Sequence, residues 1–74
     1  MVLDLILKKT DDGFNAYIPK LNGCDSWAHN EDDALRAVIE MAMFYLKIDD
    51  RRRMKIDKAR TEENKTIYKL IFNK

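Results

Sequence analysis

The sequence predicts a small α+β domain of order β-β-β-α-β, an antiparallel sheet with one main helix packed on one face. Three observations carry this. Apolar residues alternate with a period of two up to residue 28. The period then switches to 3.6 at Asn30, a good helix cap followed by Glu31, Asp32 and Asp33. A β-branched and aromatic run, Thr66 to Phe72, closes the pattern.

Leu3, Leu5 and Leu7 share one side of the first segment, with Val2, Asp4 and Ile6 on the other, as in a strand covered on one face and partly on the second. Thr10-Asp11-Asp12-Gly13 reads as a turn in which Gly13 is free to take positive φ. Phe14 to Ile18 is the returning strand of the hairpin, and Pro19, which has no N–H for a ladder, ends it. Leu21-Asn22-Gly23 turns the chain into a third short strand, Cys24 to Ala28.

A helix is expected over residues 31–47. At 100° per residue, Ala34, Leu35, Val38, Met41, Ala42, Tyr45 and Leu46 form its core face, opposite Arg36, Glu40, Met43 and Lys47. Ala37 and Phe44 widen the apolar arc on one flank and Ile39 on the other, to roughly 220°, about twice what one sheet face needs. The expectation is that residues 48–60 cover one flank and a second copy covers the other, giving a homodimer. Residues 48–65 are the uncertain connector: Arg, Lys, Met and Ala suit a helix, while Met54 and Ile56 alternating with charge suit a strand equally. The whole of 1–74 reads as one domain.

Composition narrows the function classes. With 74 residues and one cysteine, Cys24, the chain can form no internal disulfide, which suits a reducing cytoplasmic setting. No signal peptide is expected, because Asp4 interrupts the first apolar run and no basic segment precedes it. No stretch approaches the roughly 20 apolar residues of a membrane span.

The net charge of +1 conceals two halves. Residues 1–50 hold five bases against ten acids, and residues 51–74 nine bases against three acids. The strongest charge signal is Arg51, Arg52, Arg53, Lys55, Lys58 and Arg60, which could solvate the fold, track phosphate, or meet an acidic protein surface.

Catalytic groups are not expected. Cys24 and His29 lie five positions apart, a spacing that points strand side chains to opposite faces. The acidic doublets 11–12, 32–33 and 49–50 sit at turns or helix ends, where acids are ordinary, and neither a metal nor a cofactor is expected. The candidate partner-binding residues are Trp27 and Tyr17, outward-facing aromatics on neighbouring strands, with Phe44 and Ile39 on the helix flanks.

From Gly13 to Ala42 the chain resembles the HicB family of antitoxins. The matching residues are Gly13, Ala16, Ile18-Pro19, Leu21, Gly23-Cys24, Ser26, Asn30, Asp32-Asp33 and Ala34-Leu35. Ala28, Asn22 and Lys20 depart from the family's usual glycine, proline and acid. The resemblance implies a partial RNase H-like fold without nuclease residues, and a role in masking a small HicA-type mRNA-cleaving toxin. Full-length members carry a C-terminal DNA-binding domain. This chain ends two residues after its last expected strand, so the resemblance is to a short form. The alternative is a nucleic-acid-binding regulator acting through residues 51–60.

Overall fold

A computed structural model describes residues 1–73. The elements are β1 (Val2–Lys9), β2 (Phe14–Tyr17), β3 (Asp25–Ala28), α1 (Glu31–Leu46), a 3₁₀ turn (Arg51–Arg53), β4 (Met54–Glu62) and β5 (Lys65–Phe72). The protein is α+β, with one five-stranded antiparallel sheet in the order β3-β2-β1-β5-β4 and one α-helix.

The first hairpin and the helix entrance form where the sequence places them. Asn30 caps α1: its side-chain oxygen accepts the Asp33 N–H at 2.9 Å, and three acids occupy the first turn. The helix stops one residue earlier than expected. Lys47 takes φ 58°, and the Lys47 and Ile48 amides donate to the Phe44 and Met43 carbonyls, closing a Schellman motif without glycine. Ile48, the residue after that turn, is buried. The Ser26 hydroxyl donates to the Ala34 carbonyl at 2.8 Å and ties β3 to the first turns of α1.

Residues 48–65 resolve the open choice toward a strand, so the chain runs β-β-β-α-β-β. The cause is non-local: β5 inserts beside β1 and leaves its other edge free, and β4 pairs along that edge from Met54 to Glu62. Met54 and Ile56 then face the core while Lys55 and Asp57 face outward, and Asp50 caps the preceding 3₁₀ turn through the Arg52 amide.

The core lies between α1 and one sheet face. Leu3, Leu5 and Leu7 of β1 meet Tyr68, Leu70 and Phe72 of β5, with Ala16, Ile18 and Cys24 beside them, beneath Ala34, Val38, Ile39 and Ala42. Here the expected helix face is corrected. Met41 and Tyr45, assigned inward, are exposed; Met43, assigned outward, is half-buried against the core; and Ile39, proposed as a contact residue, is buried. The helix is tethered to β3 by two residues and packs mainly over β3 and β2. Its Ile39 side is buried in the same core cluster as Ile48 and Met54 and lies beside Ile56 of β4. The buried arc is thus turned by roughly 40° from one centred on the helix's apolar sector.

Gly13 needs a different explanation from the one its turn suggested. Its φ is not positive; Gly23, at φ 85°, is the glycine that uses that freedom. A methyl group on Gly13 would fall onto the Ala28 carbonyl oxygen and within 2.5 Å of the Trp27 ring. Glycine is required there by close approach.

Candidate protein-binding surfaces

Trp27 lies on the sheet face that α1 does not cover, opposite Asn15 and diagonal to Tyr17. Its ring rests on Gly13, its indole N–H donates to the Thr10 hydroxyl at 3.2 Å, and His29 stands edge-on at 4.8 Å between ring centroids. The side chain is pinned from three directions and still 45% exposed. Asp25 follows on the same face, holding the Asn15 amide at 2.7 Å, and Asp11 and Asp12 belong to the adjacent turn. Tyr17 is half-buried beside Lys8 and Lys65. The aromatic pair therefore has an acidic side toward the hairpin turn and, toward the β4–β5 turn, a side of mixed charge where Lys8 and Lys65 stand with Glu62 and Glu63.

The second surface lies on α1. Phe44 is 88% exposed, and Met41 and Tyr45 stand next to it at helical spacing. Together with Ala37 and Glu40 they form one wall of an open groove of about 520 Å³ whose other wall is Asn22, Gly23 and Cys24. Phe44 was legible in the sequence as surplus apolar arc. Met41 and Tyr45 were not, because they were counted into the core.

The basic residues do not form one face. Arg51, Arg52 and Arg53 occupy the 3₁₀ turn, and Asp50 chelates the Arg52 guanidinium with two hydrogen bonds of 3.1 Å. A β-bulge between Lys58 and Arg60 reverses the alternation of β4. Lys58, still in phase with Met54 and Ile56, sits opposite Tyr68 on the helix side, whereas Lys55 and, past the bulge, Arg60 sit on the open side. Arg60 is bound to Glu62 at 2.8 Å. A polyanion tracking phosphates would meet these charges on two sheet faces and an end, interleaved with acids.

Cys24 and His29 flank β3 at opposite ends, and burial pushes the Cys24 thiol up, favouring the protonated form. His29 Nδ1 lies 3.4 Å from the Asp12 carbonyl oxygen. Among the described residues no group of three or more His, Cys, Asp or Glu side chains is placed to hold a metal ion. Tyr68 is raised by burial and then by Glu31 and Asp32 at the helix entrance. Hydrogen bonds from Lys69, Arg52 and Arg60 lower Asp4, Asp50 and Glu62 respectively. Among the described residues no helix is long and apolar enough to cross a membrane.

No family model, curated protein or solved structure matches the chain.

Proposed function

We propose that this chain is a non-catalytic binding protein of the HicB-like antitoxin type, which neutralises a HicA-type mRNA-cleaving toxin by direct protein contact in the cytoplasm. The observation that carries the reading is Trp27: an aromatic ring fixed before any partner arrives, half exposed, with acids on one side. Interface hot spots are enriched in such anchors, and an anchor already held in place loses little rotamer freedom on binding. Asp11, Asp12 and Asp25 suit a partner with a basic rim around an apolar pocket.

The resembling residues support the architecture more than the contact. Ala16, Ile18, Leu21 and Cys24 are core, Gly23 supplies positive φ, Ser26 holds the helix, and Asn30 caps it. The functional reading therefore rests on the exposed aromatics that this scaffold presents.

The test is growth rescue and direct binding with a small basic mRNA-cleaving protein of the source cell. Co-expression of the wild-type chain should restore growth. Trp27→Ala, assayed where circular dichroism shows it folded, should weaken binding by about 30-fold, the lower bound for a hot spot. A wild-type chain that neither binds nor rescues would refute the reading. Retention on RNA that disappears when Arg51, Arg52 and Arg53 are neutralised would replace it with nucleic-acid binding.

A further inference from the structure

We infer that the α1 groove is a self-complementary interface, filled by the same face of a second copy in an antiparallel helix pair. The surface carries both halves of a contact. Phe44 projects almost fully into solvent, and the groove beside it has small walls: Ala37 on the helix, Gly23 and Cys24 on the β2–β3 turn. The turn leaves space, since a Cβ built on Gly23 meets nothing within 4 Å. A knob and a hole on one patch are what an isologous two-fold contact requires, with each copy's Phe44 entering the other's groove.

The spacing sets the register. Ala37, Met41 and Phe44 follow the four-three step of a coiled-coil seam, Met41 at an a position and Phe44 at a d position. Antiparallel helices pair a with d, which puts Met41 against Phe44 of the second copy. Glu40 flanks that layer on the helix, and Lys47, the left-handed residue that ends the helix, lies just beyond its C-terminal end. In this register Glu40 of each copy faces Lys47 of the other, giving two equivalent opposite-charge pairs. Among the described residues neither Glu40 nor Lys47 has an ion-pair partner within the chain. Parallel packing would set Glu40 against Tyr45 and leave both charges without a partner.

A fully exposed aromatic can bury about 150–250 Å², but Tyr45 and Met41 are only 54% and 40% exposed beside Phe44 at 88%, so two copies make a small interface, at the low end for a specific dimer. Association should therefore depend on concentration. The inference uses α1 and not the Trp27 surface, so toxin binding can fail without affecting it.

Light scattering over roughly 5–500 µM decides the matter. The wild-type mass should rise from 8.8 kDa toward twice that value. Phe44→Glu should stay at one chain with its helical circular dichroism intact, because the native ring is exposed. Glu40→Lys should raise the dissociation constant about tenfold, and the double variant Glu40→Lys/Lys47→Glu should recover it. A single-chain mass for the wild type at every concentration overturns the inference. So does a dimer that survives Phe44→Glu, or a double charge reversal that fails to recover association.

Discussion

Replacing Gly13 with alanine distinguishes two accounts of one glycine. If Gly13 served the turn by positive φ, asparagine would be the best-tolerated substitute, because it enters the left-handed region more readily than alanine. The structure places the constraint elsewhere: any Cβ collides with the Ala28 carbonyl oxygen, which is backbone and cannot rotate away, and with the Trp27 ring at 2.5 and 2.8 Å. Overpacking of this kind costs about 1–3 kcal/mol. Alanine returns about 0.4–1 kcal/mol by restricting the unfolded chain, since the native φ is compatible with it. At mid-range values the net loss is about 1.3 kcal/mol, and for a domain of this size each kcal/mol lowers the melting temperature by about 4–8 °C.

Thermal melts followed by circular dichroism and by the emission of Trp27, the single tryptophan, measure both effects. Asparagine, being larger, should cost more than alanine. Combining Gly13→Ala with Trp27→Ala should cost less than the two separately, because the ring half of the clash is gone. A Gly13→Ala protein melting within about 2 °C of wild type, against the shift expected from its size, would refute the reasoning, as would asparagine proving milder than alanine.

Two further expectations concern the core and the acid limb. Ile39→Ala should cost about 2–5 kcal/mol by opening a cavity in the core beside Ile56, whereas Met41→Ser should leave chemical denaturation of the dilute monomer almost unchanged. Equal effects of the two would mean that the helix is rotated differently. Asp4, Asp50 and Glu62 are lowered in the folded protein, so their contribution is complete above the ordinary values of 3.8 and 4.5 and is lost as pH falls below them. Melts between pH 6 and 2 should show that decline, and Asp4→Asn should make it shallower; a decline unchanged by Asp4→Asn would discount the Lys69 pair.

The parts of this protein that depend on neighbours in sequence were legible there. Alternation in β1 and β2, the proline that stops the second strand, and the cap at Asn30 act over a few residues, and the backbone follows them. Phe44 also belongs to this group, as apolar surface beyond what one sheet face could cover.

What depends on distant segments was decided by packing. Met54–Glu62 carries helix-forming and strand-forming signals of similar weight, and it is a strand because β5 offers an unpaired edge whose hydrogen bonds must go somewhere. The phase of α1 follows from its two-residue tether to β3, which tilts burial toward Ile39 and leaves Met41 and Tyr45 in solvent. The bulge that divides Lys58 from Arg60 and the ring that forbids a side chain at Gly13 are likewise tertiary. A hydropathy period specifies that a helix has an apolar side, but which residues end up dry depends on the surfaces it meets, and those come from segments far away in the chain.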